Sequence, residues 1–353
     1  MNTPLTAATI RSIDPSGMAD RLRAFPDQVR EAIAIGRSAP LRLPVRGIRN
    51  IVVCGLGGSA IGGDLLRSYL ADRLRVPFVV NRHYTLPRFV GPDSLVIVSS
   101  YSGNTEETTT AHREALRRKA RILCITSGGT TAALARRRRT PLILIPGGSP
   151  PRAALAYSFF PLLVALSRLG LIPSPDREIR ETVGLLDRLR DRYDALDPEA
   201  NSALRLALQL QNRISVIYSS TERFDAVNTR WRGQIAENAK ALSFGHVLPE
   251  MNHNELVGWK ALRDQMREIQ VLVLRDRGDH PRVAIRMNIT EDVLREQTPH
   301  VTEVWSEGKT LLARIFSLVA LGDWVSLYLA ILHGQDPTPV AVIDHLKKEL
   351  GKV

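Results

Sequence analysis

Residues 95–108 have the sequence LVIVSSYSGNTEET, in which an apolar, β-branched run is followed by a turn of small hydroxyl residues and a helix-compatible start. This order of strand, turn and helix is typical of a βαβ unit. Similar apolar runs recur at intervals of about twenty residues through the first half of the chain, which predicts a parallel sheet with helical crossovers. The five predicted strands are residues 51–54, 76–80, 95–99, 122–125 and 142–145.

The alternation continues in the second half of the chain. The segment PGGSPPR and an apolar helix predicted over residues 153–169 close a first domain, and GLIPSPD is typical of a linker. The sequence predicts an α/β fold with two domains, 1–170 and 171–353, each a parallel β-sheet flanked by helices. In the second domain we expect helix over 176–211, followed by strands at 214–218, 269–274 and 301–305.

Charge, cysteine content and apolar segments limit the classes of function that this chain could have. The formal charge is +12, but aromatic residues make up only 5% and the basic residues are scattered apart from the run 136–139, which is typical of a solvated face. This composition favours a small anionic substrate over nucleic acid. Cys54 and Cys124 lie in apolar runs and predict buried thiols in a reducing, cytoplasmic setting, and residues 1–14 have no features of a secretory signal. The apolar segment 311–332 contains Arg314 and Asp323, so we expect a buried helix and no membrane span.

A glycine-rich turn, CGLGGSAIGGD, follows the first predicted strand. Its glycines, including Gly57 and Gly58, allow backbone N–H groups at a helix start to face an anion. The turn also fits the dinucleotide pattern GxGxxG/A, but the second strand ends in Val80-Asn81-Arg82 and lacks the acid that would bind a ribose. The alternative that the glycines serve only close helix–strand packing stays open, although it does not explain the adjacent Ser59.

Several hydroxyls meet in the turn after the third strand. Ser100, Ser102 and Thr105 stand at a predicted helix N-terminus, where hydroxyl and amide donors suit the three terminal oxygens of a phosphate monoester. Ordinary helix capping uses one hydroxyl, and the alternative is that Ser and Thr simply fill a turn. Together with Ser59, the pattern favours phosphate binding.

Two motifs in the second half carry ionisable candidates. In AENAK, residues 236–240, Glu237 could act as a general base from a helix, although most helical glutamates face solvent. In PEMNHNE, residues 249–255, His253 could transfer protons near neutral pH or could be an ordinary hydrogen-bonded loop residue. A metal site from His253 and Glu255 lacks the HExxH spacing, so no metal is expected.

GLGGSAIGGD, SSYSGNTEET and ITSGG together resemble the sugar isomerase (SIS) domain. The resemblance implies SIS-type domains with a five-stranded parallel sheet that binds phosphosugars at the carboxyl ends of its strands. It implies phosphate contacts from Ser59, Ser100, Ser102 and Thr105, and a structural role for Ser127.

AENAK followed by PEMNHNE is more specific, because this combination resembles the bifunctional phosphoglucose/phosphomannose isomerase family over roughly residues 45–350. The family implies a catalytic arginine, which matches Arg152 in PPRA, and a C-terminal lysine, which matches Lys347 or its neighbour Lys348. It also implies space at the sugar C2, for which Thr338 is one candidate.

The resemblance implies an aldose–ketose isomerase acting on glucose 6-phosphate and mannose 6-phosphate through a cis-enediol(ate). Glu237 would move the proton, Arg152 would stabilise the enediolate, and His253 and Lys347 would act on the ring oxygen and hydroxyl. The resemblance further implies a homodimer in which His253 serves the partner's site, with no cofactor. The alternative is a non-catalytic sugar-phosphate sensor, which would need neither Glu237 nor His253.

Overall fold

Two parallel β-sheets form the frame of the computed structural model, which describes residues 5–352. Residues 1–4, on which part of the N-terminal interpretation rests, and residue 353 lie outside it. The first sheet has the order β2-β1-β3-β4-β5, and all of its pairs are parallel. Its strands are β1 (Asn50–Cys54), β2 (Phe78–Asn81), β3 (Ser94–Ser99), β4 (Arg121–Thr126) and β5 (Leu142–Leu144).

Helices cover both faces of this sheet, so β1 and β3 are buried along their whole length. Burial on both faces explains why these strands have continuous apolar runs and no polar alternation. The helices of this half are α1 (Ala7–Ile13), α2 (Met18–Arg23), α3 (Phe25–Ser38), α4 (Gly58–Leu70), α5 (Glu106–Arg117), α6 (Gly129–Arg138) and α7 (Leu155–Arg168).

The second sheet has four parallel strands in the order β7-β6-β8-β9. They are β6 (Ile214–Ser220), β7 (Ser243–Leu248), β8 (Ile269–Arg275) and β9 (Val301–Trp305). The helices are α8 (Asp176–Asp194), α9 (Ser202–Leu210), α10 (Asp225–Ala239), α11 (Arg263–Arg267), α12 (Pro281–Arg295), α13 (Leu311–Leu332) and α14 (Ala341–Leu350). Three short 3-10 turns are Pro151–Ala153, Glu250–His253 and Glu255–Lys260.

The predicted α/β class with two parallel sheets is confirmed, but strand β7 was missed. β7 lies at the sheet edge, is mostly half-exposed and contains Ser243, Gly245 and His246, so it shows no apolar run. A Cβ at Gly245 would lie 2.3 Å from the carbonyl oxygen of Ile217, so glycine permits the close pairing of β7 with β6. The helix predicted over 176–211 is two helices, because Asn201 caps a new one by accepting from the N–H groups of Ala203 and Leu204.

Helix α13 is buried and contacts helices of both halves of the chain. Of the helices in the described residues, it alone has the length and composition to cross a membrane, yet 94% of its most apolar window is buried inside the protein. It packs against α8, α9 and α10, and also against α2 and α4 of the first half. The prediction of a buried helix is therefore confirmed. One apolar cluster, which includes Ile51, Phe159, Phe316 and Trp231, continues from the first sheet to the second.

Candidate active site

The crevice at the carboxyl ends of β1 and β3 contains both motifs of the first half. These strands are neighbours, and the chain leaves β1 toward one edge of the sheet and β3 toward the other. Such a switch in strand order opens a crevice where α/β proteins bind ligands. The glycine-rich turn after β1 and the hydroxyl-rich turn after β3 therefore face one another, each at the N-terminus of a helix, α4 or α5.

Hydrogen bonds connect the two turns. The hydroxyl of Ser59 accepts from the backbone N–H of Tyr101 at 3.1 Å, and the Ser100 hydroxyl lies 3.2 Å from that of Thr105 and accepts from the N–H of Gly103 at 3.1 Å. Ser102 accepts from the N–H of Asn104 at 3.3 Å. The structure thus brings the four predicted hydroxyl residues together at one crevice. Ser127 donates to the carbonyl oxygen of Tyr101 at 2.7 Å, in keeping with a structural role.

The backbone geometry explains why glycine occupies two positions of the first turn. Gly57 has a φ of 52°, in the region that favours glycine. A Cβ at Gly58 would lie 2.6 Å from the carbonyl oxygen of Pro151, so this residue allows the 3-10 turn Pro151–Ala153 to pack against the start of α4. That packing places Arg152 beside the hydroxyl-rich crevice.

The guanidinium of Arg152 joins the two halves of the chain. Its side chain is only 5% exposed, and its NH1 lies 3.2 Å from Oε2 of Glu237 on α10. Nε donates to Oδ1 of Asn238 at 2.7 Å, and NH2 donates to the carbonyl oxygens of Pro337 and Thr338 at 2.6 and 2.8 Å. Burial lowers the pKa of Arg152, and the Glu237 carboxylate opposes this shift. The site therefore holds a fixed positive charge next to a half-exposed carboxylate.

Lys240 is a second cation at this site, and the sequence reasoning missed it. It ends α10 in the left-handed conformation, and its Nζ donates to the carbonyl oxygens of Glu237 at 2.6 Å and Pro337 at 3.3 Å. Burial and the neighbouring Arg152 lower the pKa of Lys240. The signal in the sequence is AENAK itself, in which the lysine lies three residues after the glutamate. Asn238, in the same motif, was also missed.

His253 is not brought to this site within one chain. Glu237 lies near the C-terminus of α10, which leads into the start of β7, whereas His253 follows the end of β7 and is exposed. The six residues of β7 span roughly 17 Å at the usual rise per strand residue. Glu237 and His253 therefore lie toward opposite ends of this strand.

The C-terminal lysines lie on an unburied helix. Every described residue of α14 is exposed, including Lys347 and Lys348, so the structure does not distinguish between them. Within residues 5–352, no group of three or more His, Cys, Asp or Glu side chains could hold a metal ion. Cys54 and Cys124 are buried free thiols, as predicted, and burial raises the pKa of Cys54 to about 12.

Family models match most of the chain. The SIS domain matches residues 45–167, and the bacterial phospho-glucose isomerase C-terminal SIS domain matches residues 199–350. The chain is also similar to a solved hypothetical protein from Thermus thermophilus, with a TM-score of 0.73 and 15% identity, covering 98% of this chain and 93% of that one. At this identity the structural similarity supports the fold, and it agrees with the two SIS-type domains that the family models match.

Two relatives carry the same name, bifunctional phosphoglucose/phosphomannose isomerase. The one from Caldicellulosiruptor bescii is 44% identical over 95% of this chain and 99% of its own length. The one from Aquifex aeolicus is 38% identical over 86% of this chain and 91% of its own length. Since the family models match regions in both halves of the chain and the relatives share 44% and 38% identity over most of its length, the chain belongs to the bifunctional phosphoglucose/phosphomannose isomerase family.

Proposed function

We propose that this protein interconverts glucose 6-phosphate and mannose 6-phosphate with fructose 6-phosphate through a cis-enediol(ate). The observation that carries the proposal is the 3.2 Å contact between the buried guanidinium of Arg152 and the carboxylate of Glu237, beside the hydroxyl-rich crevice. The site thus has a base in Glu237, a fixed positive charge in Arg152 and anion-binding turns nearby. The names of the relatives support the same reaction.

The phosphate would bind in the crevice between the two turns. Amides at the starts of α4 and α5 and the hydroxyls of Ser59, Ser100, Ser102 and Thr105 supply donors to its oxygens. The amides of Gly57 and Gly58 stand at the same helix start and complete the predicted substrate-binding set. A phosphate held here leaves the carbon chain of the sugar free to extend toward Arg152 and Glu237.

The proton transfer would then belong to Glu237. Its side chain is 36% exposed, so it is open to a ligand, while Arg152 is fixed by four hydrogen bonds. Removal of the C2 proton from an aldose puts negative charge on oxygen, which a preorganised guanidinium stabilises. One base that returns the proton to C1 or C2 serves both epimers. Thr338 stays our candidate for the residue that leaves space for either configuration at C2.

Ring opening would use His253 and a C-terminal lysine, Lys347 or Lys348. We propose that the protein is a homodimer in which His253 completes the partner's site. The supporting observation is topological: within one chain, His253 and Glu237 lie toward opposite ends of β7. The exposed helix α14 leaves either lysine free to approach a bound sugar.

Two broader predictions also become proposals. We place the domain boundary between residues 170 and 171, because this point falls between α7 and α8 and leaves one sheet on each side. We also propose a cytoplasmic location, which is supported by two buried free thiols and by the metabolic reaction.

The function can be tested with purified, metal-stripped protein and fructose 6-phosphate. Chromatographic separation should reveal both glucose 6-phosphate and mannose 6-phosphate, and added EDTA should not change either rate. Tight binding of fructose 6-phosphate without any product would instead support the sugar-phosphate sensor. Activity that disappears with EDTA and returns with a divalent ion would contradict the proposed chemistry.

A further inference from the structure

A seam of polar side chains crosses the otherwise apolar contact between α10 and α13. On α10 it consists of Arg230, Gln234 and Asn238, which are four residues apart and share one helix face. On α13, a long and strongly apolar helix, it consists of Asp323 and Ser326. All five side chains are buried.

The first half of the seam is an ion pair. Arg230 donates to both carboxylate oxygens of Asp323, at 3.0 and 2.7 Å, and Gln234 donates to the same carboxylate at 2.9 Å. The two charged side chains are 3% and 5% exposed. Burial raises the pKa of Asp323, and Arg230 opposes this shift. Because a buried ion pair gives little net stability compared with apolar packing, stability alone poorly explains this charge inside α13.

Both ends of the seam reach Arg152. Arg230 also donates to the carbonyl oxygen of Arg152 at 3.0 Å. At the other end, Oδ1 of Asn238 accepts from Nε of Arg152, while its Nδ2 donates to Ser326 at 2.9 Å. Ser326 in turn donates to the carbonyl oxygen of Asp323 at 2.7 Å. The backbone and the guanidinium of one arginine are thus held by one connected network.

We propose that this seam consists of positioning residues for Arg152: the Arg230–Asp323 pair fixes its backbone, and the Asn238–Ser326 pair fixes the plane of its guanidinium. The inference rests on the proposed function. A planar guanidinium stabilises a developing enediolate only if its N–H groups already point at the oxygen, so loss of orientation should slow the chemical step more than it weakens binding.

The kinetic test removes one pair of partners at once. In the double variant Asn238→Leu with Ser326→Ala, we expect kcat to fall roughly 10- to 100-fold, the effect of one hydrogen bond to a charged group, with KM little changed. Asn238→Asp keeps an acceptor for Nε and should recover part of the loss. The matched control is Trp231→Phe, which removes another buried hydrogen bond between the same helices, at 2.8 Å to the carbonyl oxygen of Leu318.

A second measurement does not depend on turnover. In protein labelled with ¹⁵N-arginine, the Nε–H of Arg152 should exchange slowly with solvent in the wild type and in Trp231→Phe, and quickly in the double variant. Wild-type turnover tests the proposed function by itself, and these exchange rates test the seam even if no isomerase activity is found. Unchanged exchange in the double variant, or an equal loss of kcat in Trp231→Phe, would overturn the inference.

Discussion

The sharpest test of the site is Glu237→Gln. Glutamine has nearly the same shape and can still accept a hydrogen bond from NH1 of Arg152, which now lies 3.2 Å from the carboxylate. Arg152 also keeps its three bonds to Asn238, Pro337 and Thr338. Since the Glu237 side chain is 36% exposed, loss of the ion pair should cost only about 1 kcal/mol of folding stability.

Loss of the base should be much more costly to the reaction. We expect kcat to fall about 10²- to 10⁴-fold while affinity for a sugar-phosphate inhibitor changes little, because the amide cannot accept the C2 proton. Rates should be measured separately with glucose 6-phosphate and mannose 6-phosphate. One shared base requires both to fall together, so loss of only one activity would refute the mechanism.

A matched control is available in Glu178→Gln. Glu178 pairs with Arg73 at 2.6 Å, with side-chain exposures of 18% and 30%, so this variant also breaks a partly buried Arg–Glu pair. Arg73 follows the C-terminal end of α4, roughly 20 Å from the glycine-rich turn at its start. The control should keep wild-type kcat. Equal losses in both variants would mean that the effect comes from weakened folding.

The remaining predictions concern binding, assembly and acid stability. Ser102→Ala or Thr105→Ala should each weaken inhibitor binding by about 1.5–3 kcal/mol in a calorimetric titration, and unchanged affinity in both would place the phosphate elsewhere. Mixed dimers of Glu237→Gln and His253→Ala subunits should regain one intact site, whereas inactive verified heterodimers would contradict shared sites. Burial lowers the pKa of His112 to about 4 from 6.5, so the folded chain resists a proton that the unfolded chain accepts. Stability present above pH 6.5 should therefore fall by about 3 kcal/mol toward pH 4 in urea unfolding, and His112→Gln should remove this component.

The success of the sequence-based prediction followed the strength of the local signals. Parallel strands that are buried on both faces, such as β3, have continuous apolar runs that are easy to recognise in the sequence. The first sheet was therefore predicted almost completely. Edge strand β7 has no such run, and only its contact with β6 makes it a strand. The hydroxyl residues were predictable because they are adjacent in sequence. Asn238 was not, because its role depends on Arg152, which is distant in sequence and meets it only through folding.

The apolar cluster that continues from one sheet to the other makes the two halves dependent on each other. Helix α13 belongs to the second half, yet it packs against α2 and α4 of the first. Either half alone would leave part of this interior in water, so we expect the two halves to unfold as one cooperative unit although the proposed boundary at 170/171 separates the two sheets. Exchange of one half for that of another protein would place the contact between Arg152 and Glu237 across a foreign interface.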